Sequence, residues 1–311
     1  MEPVSGVDCR AIGLDIGATK TLGVLVDEDG RVLEQVREAT EPGPDGVVRT
    51  AERVVAHLSA ATDGAPPTSV GLGIPGLVDV ERGAVKHAVN LDVDGEWVPL
   101  RAELEARLGV PVAVENDVNV ATLGAVALSG IRDLVYLSIG TGLAAGLVLD
   151  GTLRRGATGA AGEIGHVPID PLGAVCQCGQ RGCLETVASG RALAEAWHPA
   201  GSLGSDEPPA QALFAAASAG DQRAIEVRDR FAAGVADAVR TLCLTVDPAT
   251  IVLGGGVAHL GAPLVSAVSD ALRAQAASSP FLASLDLAAR IRVVPEDYPV
   301  AAIGAALLGR S

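Results

Sequence analysis

Apolar residues along this chain fall into two kinds of run, and the two kinds take turns. Ala11–Asp15 is an unbroken apolar stretch of strand length that closes on a carboxylate. Gly17–Lys20 reads as a turn, Thr21–Asp27 and Val32–Ala39 as two more strands, and Asp27-Glu28-Asp29-Gly30 as the hairpin between them. Gly46–Ala61 changes period: Val47, Ala51, Val54, Val55 and Leu58 share one helical face. Ser69–Ile74 then predicts a strand, Pro99–Leu108 a helix, and Val110–Val114 a strand running into Glu115-Asn116-Asp117.

A second cycle follows. Asn119–Ser129 is helical in pattern, Leu134–Ile139 and Ala145–Leu149 are strands around a glycine turn, and Gly156–Cys183 is rich in loop formers. A helix starts at Ser189–Ala196 and gives way to His198–Pro209, whose Pro, Gly and Ser predict an exposed connection. Gln211–Ala219, Asp221–Val246 and Gly261–Ala277 are helical, with the strand Thr250–Leu253 among them; Ile291–Val294 is a last strand and Ala301–Leu308 a last helix. The halves echo each other as strand, glycine turn, strand. The expected class is α/β, with mixed sheets flanked by helices.

At 311 residues the chain has room for two domains, and with 49% hydrophobic but only 2% aromatic residues the cores must be built of Ala, Val and Leu. A formal net charge of -15 opposes phosphate backbones and anionic lipid heads, so neither nucleic acid nor a membrane is an expected partner. No stretch reaches the roughly 20 apolar residues of a membrane span. The first ten residues carry Glu2 and Asp8 and lack a signal peptide's basic start and apolar run, so a cytoplasmic location is expected. Of five cysteines, Cys176, Cys178 and Cys183 crowd together, which in a reducing compartment favours a metal over disulfides; Cys9 and Cys243 are read as packed thiols.

Three glycine turns stand at strand ends: Gly17-Ala18-Thr19-Lys20 after Asp15, Gly140-Thr141-Gly142, and Gly254-Gly255-Gly256. A carboxylate beside a tight turn suits hydrated magnesium, and bare backbone N–H groups suit phosphate oxygens. Each turn alone is also an ordinary hairpin corner; three in one chain point to a nucleotide. Gly71-Leu-Gly73-Ile-Pro-Gly76 spells a dinucleotide fingerprint, but Leu77–Gly83 reads as strand and turn where the fingerprint needs a helix. No GxxxxGK[ST] motif occurs.

Glu115-Asn116-Asp117 closes the strand that joins the halves, which would put Asp117 at a domain cleft. A carboxylate beside an amide suits a base that takes a proton from a hydroxyl, although Asp and Asn at strand ends also serve as caps, and this pair alone leaves both open. His166, Cys176, Cys178 and Cys183 supply the four ligands of a closed structural zinc site, with Gly179 and Gly182 allowing the tight turns. A redox dithiol is disfavoured because the pair is CxC rather than CxxC.

Together these residues resemble the ROK family of sugar kinases and repressors, within the two-domain actin-like (RNase H-like) ATPase fold. Asp15-Ile-Gly17-Ala-Thr19-Lys20 is similar to the family's DxGxTK turn, Gly73-Ile-Pro75-Gly76 to its sugar-facing GxPG loop, and Glu115-Asn116-Asp117-Val-Asn119 to its ENDxN motif. Gly162-Glu163-Ile-Gly165-His166 and Cys176–Glu185 match ExGH and CxCGxxGCxE. The resemblance implies an ATP-dependent hexose kinase with Mg2+ and a structural Zn2+, Asp117 as base, and Gly76, Asn90, Asn116, Glu163, His166 and Glu185 around the sugar. It implies Asp15, Gly17, Thr19, Lys20 and Gly140, Thr141, Gly142 toward magnesium and phosphates, and Gly254, Gly255, Gly256 toward adenosine. It also implies a small domain of residues 1–117 plus 297–311 and a large one of 118–296, an interdomain cleft that closes to exclude water, and a homo-oligomer, dimer or tetramer. Glucose phosphorylated at its 6-OH is the first expectation; amino sugars, N-acetylated sugars, mannose and fructose are the alternatives. The sequence departs from the family pattern at Ala18, Ala144 and Ala145, where relatives carry glycines. A family regulator is disfavoured by the acidic charge and the ten residues before the first strand, and a dead sugar-binding module by the presence together of Asp15, Thr19 and Asp117.

Overall fold

The structure, a computed structural model, describes residues 10–61, 66–197 and 208–310. Glu2, Asp8 and Cys9, and most of the connection expected at 198–209, lie outside the described residues. The chain divides into two compact units. One runs to Gly130 and includes Arg155–Gly159 and the chain from Pro299; the other comprises Ile131–Arg154 and Ala160–Tyr298.

In the first unit, strands β1 (Ala11–Ile16), β2 (Lys20–Val26), β3 (Val32–Ala39) and β4 (Ser69–Ile74) are followed by a small hairpin, β5 (Leu77–Asp79) with β6 (Ala84–Lys86), and by β7 (Val112–Asn116). The main sheet has the order β3-β2-β1-β4-β7. β1 pairs antiparallel with β2 and parallel with β4, which pairs parallel with β7. Strand β4 is buried along its whole length, as a strand covered on both faces must be. On one face Gly23 of β2 lets Val54 and Leu58 of the helix Pro44–Ala60 come close. On the other, Gly13 and Gly71 admit the backbone of the helix Val300–Leu308: a Cβ at Gly13 would lie 1.9 Å from Ala302 O, and one at Gly71 1.8 Å from Ala305 O. The register sets Asp15 beside Gly73 and Gly73 beside Glu115, so β1, β4 and β7 end level at their carboxyl ends.

The second unit repeats this plan. β8 (Leu134–Ile139), β9 (Leu143–Leu149), β10 (Thr152–Leu153), β11 (Thr250–Gly254) and β12 (Ile291–Val293) take the order β10-β9-β8-β11-β12. The first three pair antiparallel and the last two join in parallel, the same succession of senses as in the first sheet. Its core gathers Leu137, Val235, Val239, Leu253 and Val268 from the sheet and from the helices Gln222–Val246 and Ala262–Ala276, together with Leu184 ahead of the short helix Glu185–Ala188. Ala144 and Ala145 lie within β9, paired with Ser138 and Leu137, so their methyl groups belong to the sheet and not to the turn before it. Among the described residues no helix is long and apolar enough to cross a membrane.

The sequence reading placed a division after Asp117; the structure divides the chain after Gly130 and resumes the first unit at Pro299. Asn116 caps the helix Asp117–Ser129, accepting from the N–H groups of Val118 (2.9 Å) and Asn119 (3.3 Å), so the helix begins at Asp117 itself. That helix lies against Val300–Leu308 with almost nothing between them: a Cβ on Gly304 would sit 1.7 Å from Val120 O, and one on Gly124 1.9 Å from Val300 O. Such backbone contact is invisible to periodicity. Periodicity also missed the helices Glu185–Ala188 and Pro280–Leu285 and strand β10, all too short to show a repeat.

Replacing Gly304 by Val should force these two helices apart. Overpacking of this kind costs about 1–3 kcal/mol, and more where the clash is with backbone; thermal unfolding should show a lowered midpoint.

Candidate active site

The first unit brings two carboxylates together. Asp15 is the last residue but one of β1, and Asp117 opens the helix that follows β7. Burial first, and the charge of Asp117 second, push the Asp15 carboxyl from its ordinary value up to about 7. Two carboxylates near enough for one charge to bear on the other favour a cation, or a proton, beside them. Gly17 N–H donates to Lys20 O at 3.0 Å and closes the first turn, leaving Ala18, Thr19 and Lys20 exposed beyond Asp15. Ala18 therefore adds its methyl at an exposed position.

Asn116 and Asp117 are held from several sides. The Asn116 amide donates to Gly76 O at 3.3 Å, tying the strand end to the loop after β4. Gly76 has a φ of 104°, and a Cβ there would meet Lys86 O at 2.8 Å and Ala88 N at 2.9 Å, so only glycine fits. Asp117 Oδ1 accepts from Val118 N–H at 3.0 Å. Glu115, 1% exposed, turns inward. Its Oε1 accepts from Asn116 N–H (2.9 Å) and from the Asn119 amide (3.0 Å), and its Oε2 takes Arg155 Nε at 2.5 Å. Asn90 lies exposed in the short turn Val89–Leu91.

The second unit carries the other two glycine turns. Gly140 N–H donates to Gly142 O at 3.0 Å, and Gly190 N–H to Gly140 O at 2.7 Å. Glu185, expected only at the sugar, reaches this turn: Leu143 N–H donates to its Oε2 at 3.0 Å, and a Cβ on Gly142 would lie 2.6 Å from that oxygen. At the third turn Gly255 N–H donates to the Tyr136 hydroxyl at 3.3 Å, and a Cβ at Gly254 would strike that ring. Gly256 has open space where a Cβ would be.

His166, Cys176, Cys178 and Cys183 converge, each offering a ligand atom within 4.8 Å of the others. Cys178 Sγ lies 3.7 Å from Cys183 Sγ, and Cys176 Sγ 3.8 Å from His166 Nδ1. A tetrahedral ion with metal–sulfur bonds of about 2.3 Å holds its ligand atoms roughly 3.8 Å apart, so the four residues fit one. Hydrogen bonds from Gln180 pull the Cys178 thiol down to about 6, whereas burial pushes Cys183 up to about 12. With Nδ1 turned to the cysteines, His166 Nε2 faces outward, 3.9 Å from Glu163 Oε2. The fifth thiol behaves as expected of a packed one: Cys243 is buried, and burial raises its pKa.

Glu115 and Arg155 are the members that sequence reasoning left without a role. A glutamate at the inner end of an apolar strand is itself a signal, since a buried carboxylate requires donors. Nothing in the loop around Arg155 marks it as the partner.

The ROK family model matches residues 11–310. The glucokinase of Thermotoga maritima is 37% identical over 270 residues, covering 81% of this chain and 83% of that protein. A ROK family glucokinase from Streptomyces griseus, solved in complex with glucose and AMPPNP, has a TM-score of 0.80 and 32% identity, covering 97% of this chain and 99% of that one. The ROK hexokinase of Thermus thermophilus has a TM-score of 0.78 at 31% identity, with 97% and 98% covered. The fold is thus the actin-like ATPase fold that the motifs implied, its strand order repeated in both units. From its first described strand to its last helix, this chain belongs to the ROK family.

Proposed function

We propose that the protein is a cytoplasmic, ATP-dependent hexose kinase that transfers the γ-phosphoryl group of ATP to the 6-OH of glucose. The observation that carries this reading is the pairing of Asp15, near the end of β1, with Asp117, at the start of the helix after β7, in a chain similar to glucokinases over most of its length. Asp117 takes the proton of the attacking hydroxyl as its oxygen bonds to phosphorus and the bond to the ADP oxygen breaks. Mg2+ accompanying the nucleotide would neutralise charge on the phosphoryl oxygens, and Asp15 is the carboxylate placed to hold it through its water shell. The backbone N–H groups of the turns at Gly17–Lys20 and Gly140–Gly142 meet phosphates, and Gly254–Gly256 lies by the adenosine. Asn90, Asn116, Glu163, Glu185 and Nε2 of His166 hydrogen-bond the other sugar hydroxyls, with the loop at Gly76 beside them, its carbonyl holding the Asn116 amide. Zn2+ on His166, Cys176, Cys178 and Cys183 would supply a rigid anchor with no open position, and so architecture alone. That anchor orients the His166 ring and steadies Glu185, two residues beyond Cys183.

Sugar-dependent ADP release should be greatest with glucose in a panel that includes mannose, fructose, amino sugars and N-acetylated sugars. Asp117→Asn should lose about 10²–10⁴-fold in kcat while sugar binding is largely kept; a parental rate would remove Asp117 from the role of base. Purified active protein should hold about one zinc per chain, and Cys183→Ser should lose it and raise KM for the sugar. Metal analysis that found no zinc in active enzyme would refute the site. Asp15 also predicts a pH dependence. A carboxyl whose pKa rises on folding, here from 3.8 to about 7, binds its proton more tightly in the folded chain. Its contribution to stability therefore declines as pH climbs through that interval. Without magnesium, Asp15→Asn should raise the melting temperature relative to the parent at pH 8.5, lose that advantage near pH 4, and impair catalysis at both.

A further inference from the structure

Beside the groups assigned to the reaction lies an ion pair with no part in it so far. Glu115 is 1% exposed, whereas the Arg155 side chain keeps 37% of its surface in solvent. Arg155 belongs to the short segment Arg155–Gly159, which packs with the first unit although the chain on either side of it belongs to the second. Arg154, its neighbour, bonds elsewhere, with its N–H on Leu147 O and its guanidinium on Leu149 O. Glu115 is the carboxylate that Arg155 meets, at 2.5 Å through Nε.

That carboxylate holds the strand end from which the base emerges. One of its oxygens takes Asn116 N–H and the Asn119 side chain, one residue before the base and two after it. The other takes Arg155. Asn116 in turn caps the helix that begins at Asp117, and its amide reaches Gly76. A charge so deeply buried keeps its geometry only while its cation is in place.

We infer that Arg155 is a positioning residue for Asp117, acting through Glu115 and Asn116. The inference rests on the reading of Asp117 as the base. It has an asymmetric consequence. Removing Arg155 leaves a buried carboxylate unpaired, which the strand end must move to relieve. Removing the charge of Glu115 leaves a guanidinium that water can reach, and an amide oxygen can still accept from Asn116 and Asn119. Loss of the arginine is therefore the more harmful, and loss of both charges less harmful than loss of the arginine alone.

The test uses full-length Arg155→Met, Arg155→Lys, Glu115→Gln and the double variant Arg155→Met/Glu115→Gln. Steady-state ADP release, melting temperature and amide hydrogen exchange over residues 115–119 are measured for each. Arg155→Met should lower kcat by about 10–100-fold, by analogy with the cost of losing residues that orient metal ligands, and leave KM for ATP within about twofold. Arg155→Lys and the double variant should recover much of kcat, and exchange at 115–119 should be faster in Arg155→Met than in the double variant. A merely structural arginine would lower the melting temperature without that split or that recovery. Folded Arg155→Met with parental kcat, or a double variant whose loss is the product of the single losses, would overturn the inference. If Arg155→Met does not fold, Arg155→Gln takes its place in each comparison, and the same outcomes decide. If the parent releases no sugar-dependent ADP, the kinase reading fails by itself. The exchange comparison then still judges Arg155, and equal protection in Arg155→Met and parent would overturn its positioning role.

Discussion

The first unit depends on backbone meeting backbone. The helix Val300–Leu308 touches β1 through Gly13, β4 through Gly71 and the helix Asp117–Ser129 through Gly124 and Gly304, at distances that leave no room for a methyl group. Glycine costs a helix about 1 kcal/mol relative to alanine, and two glycines are placed here because separation of the helices would cost more. The contact joins the end of the chain to its beginning. It also sets the height of the helix whose first residue is Asp117, and through β1 that of Asp15. The packing therefore bears on where both carboxylates stand.

Each unit applies the same device. A sheet with three antiparallel strands extended by parallel ones ends in a tight turn between its first two strands, closed by a hydrogen bond within the turn. Turns of this kind display N–H groups that the sheet does not use, a fitting surface for phosphate oxygens on a protein that is otherwise strongly acidic. Glu185 gives the second turn a further tie, because Leu143 N–H donates to it while its other oxygen lies 3.9 Å from Cys176 Sγ. The thiol cluster and the glycine turn therefore share a side chain, and order in one bears on order in the other.

Much of this was legible in advance. Unbroken apolar runs located β1, β4 and β8 to within a residue, because a strand covered on both faces has to be apolar throughout. Three cysteines and a histidine in a glycine-rich stretch announced the cluster, since four soft ligands so close in sequence can converge by local turns alone. The Asn116–Asp117 pair left cap and base open, and the structure gives Asn116 the cap while the charge of Asp117 bears on Asp15.

What the chain alone determined is whatever depends on near neighbours: the strands, the turns, the histidine–cysteine cluster and the carboxylate that follows β7. Tertiary structure decided the rest. It assigned the helix Asp117–Ser129 to the first unit, brought the charge of Asp117 within reach of Asp15, laid Glu185 on the second turn and gave Glu115 its arginine forty residues away. The physical reason is one of range. Periodicity records which side of an element is dry, but not which distant backbone or charge will occupy the space beside it.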